Sequence, residues 1–403
     1  MRVLFYLDHV MHYHVATFQE LERRIDNEGG EFTLVSGQKR PNESGRVAIS
    51  HPIVRRHLFI PSNEWIFGTY TLRWQPTLLN AVRKSKPDVL VVAGHVGDLT
   101  YWRLGSLRQR MGFKYVTWQC GYEHNPGTLK DVATGKFLRR YDYHLAYHSN
   151  AKKYLISHGV SESRIMVIHN TINEKKIGLL SRDKARQMVT DELQLRRNRP
   201  IILYVGAILP EKRVHVLLDA VRRLAPRIPA SLIIVGDGTA LADLKSASAG
   251  LEWVKYTGRV VKGVGRFFDA ADVFVLPGMG GLAINEPMAH GLPVISSFAD
   301  GSATDLITDG VNGYVLNLGE PVQYVGKPFL DDAHADEIAA HLEAILGDAE
   351  NSCRMGTASR HLITTKYSFE AFIDRILKGL NEAYSDATTF SRAVGQLALQ
   401  LST

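Results

Sequence analysis

Short apolar runs rich in β-branched and aromatic residues recur along the chain, separated by longer stretches whose apolar positions repeat every three or four residues. The short runs fit strands covered on both faces and the longer stretches fit amphipathic helices, so the alternation predicts parallel βαβ architecture. In the first half the strands are predicted at Val3–Leu7, Phe32–Val35, Val89–Ala93, Tyr115–Trp118, Tyr143–Tyr147 and Met166–Ile168. In the second they are predicted at Ile201–Val205, Leu232–Val235, Trp253–Tyr256, Val273–Leu276, Val294–Ser296 and Tyr314–Leu316. Six strands in each half predict two doubly wound domains, with the break in the polar stretch between residues 175 and 198. A final helix after Ser368, with Phe372, Ile376, Leu377 and Leu380 on one stripe, is expected to cross back to the first domain.

With 403 residues, 45% of them hydrophobic and 22% charged, the chain has the composition of a soluble globular protein and not of a disordered one. It contains no uninterrupted apolar run long enough for a membrane helix, and Met1 leads directly into a strand without a secretory leader, so neither is expected. Two cysteines, Cys120 and Cys353, are too few for a disulfide framework or a four-cysteine zinc site, and a reducing cytoplasm is the expected compartment. The net charge of +7 divides unevenly: residues 1 to 182 hold 26 Lys and Arg against 15 Asp and Glu, and the remainder 22 against 26. A basic first half fits a solvated surface, or an anionic partner such as a phosphorylated lipid, a membrane surface or nucleic acid, and charge does not choose among these.

In open parallel sheets ligands bind beyond the carboxyl ends of the strands, so the loops there carry the candidate chemistry. The loop after Ile201–Val205 runs Gly206-Ala207-Ile208-Leu209-Pro210-Glu211-Lys212-Arg213 into a helix with Val214, Leu217, Leu218, Val221 and Leu224 on one stripe. Two cations at a helix start oppose its dipole, which fits a bound anion or side chains reaching to water. Gly236-Asp237-Gly238 follows the next strand but lacks the third glycine of a dinucleotide fingerprint, and no Walker phosphate loop is present. The loop Pro277-Gly278-Met279-Gly280-Gly281-Leu282-Ala283-Ile284-Asn285-Glu286-Pro287 is the most informative. Its glycines let main chain approach a ligand and its following N–H groups open a short helix, with Gly291 as the stop.

Those two loops, with the segment Phe298 to Gly313, give the stretch Ile201 to Val315 a resemblance to the nucleotide-sugar-binding domain of retaining glycosyltransferases of family 4, of bacterial polysaccharide and lipopolysaccharide type; the first half resembles the family only loosely. The resemblance implies the GT-B fold: two Rossmann-like α/β domains facing each other across a cleft. The first would span 1–178, completed by the helix 381–403, and the second, which binds the donor, 179–380. Lys212 would contact the donor diphosphate and Glu286 the ribose hydroxyls. Gly206, Arg213, Gly278, Gly280, Gly281, Leu282 and Ala283 would line the sugar and phosphates, and Arg259 and Val260 would flank the base. The implied reaction moves a sugar from a nucleotide sugar to a hydroxyl of a glycan or lipid-linked acceptor. It retains configuration and uses no metal or other cofactor; nucleic acid is not a partner.

Two departures stand out: Gly278 replaces the first of the family's paired glutamates, and Ala207 replaces a phosphate-contacting arginine. They leave open a catalytically silent GT-B binding subunit or a GT-B sugar-nucleotide epimerase. On the acceptor side, Asp8 at the end of the first strand is a candidate base or a turn cap. His124 is a further candidate catalytic residue, and His9, His12, His95, Cys120 and Tyr122 lie in loops after strands as candidate acceptor or sugar contacts. The histidine spacing does not suit a metal, and no base can be placed beside Cys120 to make it a nucleophile.

Overall fold

A computed structural model describes residues 1–37, 49–67, 70–121, 129–316 and 332–400. The chain divides into two compact units, Met1–His169 with Phe372–Thr403, and Asn170–Ala371. Both boundaries fall slightly earlier in the chain than the sequence places them.

The first unit is built on strands β1 (Arg2–Leu7), β2 (Glu31–Gly37), β3 (His57–Ile60), β6 (Val89–Val92), β7 (Lys114–Gln119), β8 (Tyr143–Ala146) and β9 (Ile165–Val167), with a separate hairpin of β4 (Asn63–Phe67) and β5 (Tyr70–Trp74). The seven strands form one sheet in the order β3-β2-β1-β6-β7-β8-β9, every pair parallel. Burial from both faces explains the unbroken apolar runs: Val3, Leu4, Phe5 and Tyr6, and likewise Val89 to Val92, are almost fully enclosed. The returning helix, Phe369–Gln400, buries Phe372, Ile376 and Leu380. It meets the sheet at Gly379, where an added Cβ would lie 2.6 Å from Leu145 Cδ2.

The second unit contains β10 (Ile201–Val205), β11 (Ser231–Val235), β12 (Val254–Gly258), β13 (Val273–Leu276), β14 (Val294–Ser296) and β15 (Gly313–Val315), all parallel, in the order β12-β11-β10-β13-β14-β15. The helix Val214–Leu224 buries the predicted stripe, with Leu217 and Leu224 wholly enclosed. Both sheets therefore reverse their winding beside a central strand: β10 connects through β11 toward one edge while β13 starts the other, and β1 and β6 repeat the arrangement. Such switch points leave a crevice at the carboxyl ends of the two central strands. Among the described residues no helix is long and apolar enough to cross a membrane.

Candidate functional site

The loops after β10 and β13 flank the switch point of the second sheet and are tied to each other. The Met279 N–H donates to Glu211 O at 3.0 Å, and Lys212 Nζ donates to Met279 O at 2.5 Å. Lys212 closes the short 3-10 turn Pro210–Lys212, which ends because Arg213 enters the left-handed region at φ 54°. That conformation suits glycine far better than arginine, which accounts for the glycine usual at this position in the resembling family. Gly206 contributes a close approach, its carbonyl lying where a Cβ on Gly236 would stand. Ala207 is exposed, and its carbonyl accepts from Tyr204 Oη at 2.8 Å.

The glycines of the β13 loop have separate tasks. A Cβ at Gly278 would lie 2.3 Å from Glu211 O and 2.5 Å from the carbonyl carbon of Lys212, so the two loops can meet only if this position has no side chain. The missing glutamate is therefore built into the fold. The Gly278 carbonyl is held from its other side by Ser297 Oγ at 2.8 Å. A Cβ at Gly281 would run into the Asp300 carboxylate, whose Oδ1 accepts from Ser302 N at 3.0 Å and Ser302 Oγ at 2.6 Å. A Gly280 Cβ would press on Leu276. Leu282 and Ala283 lie in the 3-10 turn Leu282–Ile284 that leads into the short helix Asn285–Ala289, with Pro287 in its first turn as its missing N–H requires. Glu286 in the same turn is half-buried, its carbonyl accepts from the His290 N–H at 3.1 Å, and its carboxylate accepts no hydrogen bond among the described residues. Burial raises its pKa, partly offset by His290. A half-buried carboxylate without donors of its own is ready to accept hydrogen bonds from the hydroxyls of a ligand. Arg259 is exposed and Val260 half-buried just beyond β12.

The structure thus brings Lys212, Gly278, Gly280, Gly281 and Glu286 to the carboxyl end of one pair of central strands. Sequence reasoning gave no role to Met279, Ser297 or Asp300, whose parts depend on contacts between loops far apart in the chain. Asn285, unremarked in the sequence, is buried and donates from Nδ2 to Thr171 Oγ1 at 3.0 Å, fixing the helix that carries Glu286.

In the first unit Asp8, His95 and Cys120 follow β1, β6 and β7, adjacent strands whose carboxyl ends lie side by side. Asp8 accepts from Tyr6 Oη at 2.7 Å and forms an ion pair with Arg73 at 2.9 Å, which also binds Glu64 across the hairpin at 2.9 Å. These contacts give Asp8 a structural task, holding β4 and β5 to the end of β1. Beneath it, Asp98 caps the helix Leu99–Met111 through the N–H groups of Thr100 and Tyr101. Burial, reinforced by the charge of Asp8, pushes Asp98 up to about 7. His95 and His12 are exposed, His9 is half-buried, and Cys120 is partly covered beside Gly121, whose φ of 80° and close approach to Ala151 demand glycine. Tyr122 and His124 lie outside the described residues. Among the described residues no three His, Cys, Asp or Glu side chains are placed to hold a metal ion.

Two Rossmann-like α/β units with loop chemistry at their switch points define the GT-B architecture. Residues 199–327 match the family model described as Glycosyl transferases group 1, and residues 15–176 match Glycosyltransferase Family 4. Each half of the chain thus carries a glycosyltransferase domain, and the second match extends the relationship into the half where the sequence resemblance is loose. It is 27% identical over 204 residues to the GDP-mannose-dependent alpha-(1-6)-phosphatidylinositol monomannoside mannosyltransferase of Mycolicibacterium smegmatis, covering 46% of this chain and 50% of that one. It is 26% identical over 313 residues to the lipopolysaccharide core biosynthesis glycosyltransferase LpsE of Rhizobium meliloti, covering 73% and 76%. The chain spans about half the length of the first curated relatives it matches. Among solved structures, a glycosyltransferase from Rickettsia africae superposes with a TM-score of 0.70 at 15% identity, covering 95% of this chain and 98% of that one. Anabaena Alr3699/HepE in complex with UDP superposes with a TM-score of 0.69 at 14% identity, covering 94% and 100%.

Proposed function

We propose that this protein is a cytoplasmic glycosyltransferase that moves a sugar from a nucleotide diphosphate to a hydroxyl of a glycan or lipid-linked acceptor. It does so with retention of configuration and without a metal, during assembly of a surface polysaccharide or lipopolysaccharide. The observation that carries the reading is the Lys212 ammonium, stationed on the β13 glycine loop by its bond to Met279 O. As the glycosidic bond to the diphosphate breaks, negative charge grows on the leaving phosphate. A fixed cation and main-chain N–H groups aimed at that charge lower the barrier because they are oriented before the reaction begins. Glu286 accepts hydrogen bonds from the ribose, and Gly281, Leu282 and Ala283 offer their amides. The developing phosphate charge can take the acceptor proton on the same face, so no enzyme nucleophile is required. The relatives named for lipopolysaccharide core and phosphatidylinositol mannoside synthesis support the acceptor class.

Titration with UDP and GDP, followed by turnover with a panel of their sugars, tests the reading. Nucleotide release that depends on an acceptor, and falls roughly 10²- to 10³-fold in Lys212→Ala, is expected. Product formed without acceptor would point to an epimerase. Nucleotide binding without any turnover, with Lys212→Ala preserving the biological role, would point to a silent binding subunit.

A further inference from the structure

The hairpin of β4 and β5 carries an apolar surface that the donor chemistry does not use. Trp65 is 47% exposed, Ile66 69%, Phe67 60% and Leu72 37%. The register pairs Glu64 with Arg73, Trp65 with Leu72, Ile66 with Thr71 and Phe67 with Tyr70. Side chains alternate between faces, so Trp65, Phe67 and Leu72 share one face while Ile66 projects from the other. The segment from Trp65 to Leu72 contains no charge. Its base is fixed by charge instead: the Glu64–Arg73–Asp8 chain of ion pairs anchors the hairpin to the end of β1. From that anchor to Phe67 is about 10 Å of strand, comparable to the depth at which interfacial elements bury in a bilayer.

The neighbouring element supplies a matching charge pattern. Arg73 N donates to Gly97 O at 3.0 Å, and the helix Leu99–Met111 starts there with Leu99 44% exposed. Arg103 and Arg110 are exposed one and three turns further along the same face, and the helix contains no acidic residue. The helix Pro76–Ser85 that follows β5 also lacks acids and ends in exposed Arg83 and Lys84. An isolated apolar wedge fits many partners, but one bordered by cations of a single sign repels a second copy of itself and attracts anionic lipid.

We infer that the β4–β5 hairpin is a membrane-insertion wedge, seating Trp65, Ile66 and Phe67 among the headgroups of an anionic bilayer while Arg103 and Arg110 meet lipid phosphates. Aromatic side chains of this kind favour the membrane–water interface. The inference deepens the reading above by naming the surface that brings the enzyme to a lipid-linked acceptor, and rests on that reading for its purpose only.

Co-sedimentation of the full chain with vesicles of pure phosphatidylcholine, and of phosphatidylcholine with phosphatidylglycerol in equal parts, tests it. Binding to the anionic vesicles is expected, weakened by salt, and reduced roughly tenfold or more in Ile66→Ser/Phe67→Ser by loss of apolar burial. Nucleotide binding and the thermal transition should be unchanged, because both side chains project into solvent. Arg103→Ser/Arg110→Ser should lower binding to the anionic vesicles without removing the wedge. Undiminished sedimentation of the Ile66/Phe67 variant, absence of binding by the parent, or a concentration-dependent dimer abolished by the same substitutions would each overturn the inference. Vesicle binding that follows this pattern in a protein that binds no nucleotide would leave the wedge intact and remove the donor reading alone.

Discussion

Gly278 shows how a single position decides what a site can hold. The glutamate found there in the resembling family has no room here, because the main chain of Glu211 and Lys212 occupies the space of its Cβ. Installing it by Gly278→Glu should therefore part the two loops and displace Lys212 from Met279. The expected result is a loss of stability of about 1–3 kcal/mol from overpacking and nucleotide affinity below that of the parent; a gain of affinity would refute the argument. The placement of Lys212 and Glu286 beyond the ends of β10 and β13 was legible in the sequence, because apolar strand runs followed by glycine loops mark those ends, while the roles assigned to them rest on the family resemblance. The tasks of Ser297 and Asp300 were not legible, because their partners, the Gly278 carbonyl and the Gly281 Cα, are set by folding and leave no periodic trace.

At the level of elements, the core strands of both sheets were legible because double-sided burial writes an unbroken apolar run. The strand β3 and the hairpin escaped the same reading. His57, Leu58, Phe59 and Ile60 form a four-residue edge strand with Leu58 exposed, and β4 places its apolar side chains in solvent, so neither carries the burial pattern of a core strand. The returning helix was foreseen from its apolar stripe, but not its tightest contact. Gly379 weakens the helix by propensity yet brings it against Leu145, Met166 and Tyr143. Gly379→Leu should lower the free energy of unfolding by about 1–3 kcal/mol, measured by denaturant titration; a stabilised variant would show that propensity outweighs contact.

For the molecule as a whole, buried ionisable groups give stability an uneven pH dependence. Burial lowers His144 to about 3, and His14 and His57 to about 4, each from an ordinary value of 6.5. The unfolded chain then binds protons that the native state refuses, so their part of the stability is intact above about 6.5 and is lost as pH falls toward 4. Asp98 acts in the opposite sense. Its raised pKa favours folding below about 4, and that contribution is lost as pH rises through 7. Asp98→Asn keeps a capping oxygen but cannot ionise, so its melting temperature relative to the parent should climb between pH 5 and pH 8; a difference that stays flat with pH would exclude a titrating Asp98. The two sheets have a further property in common. Each turns back on itself beside one central strand, and what it can hold is written in loops that sit outside its hydrophobic interior. Diversification of such a protein can proceed by rewriting a few exposed turns in either half, while the strands beneath continue to specify the same scaffold.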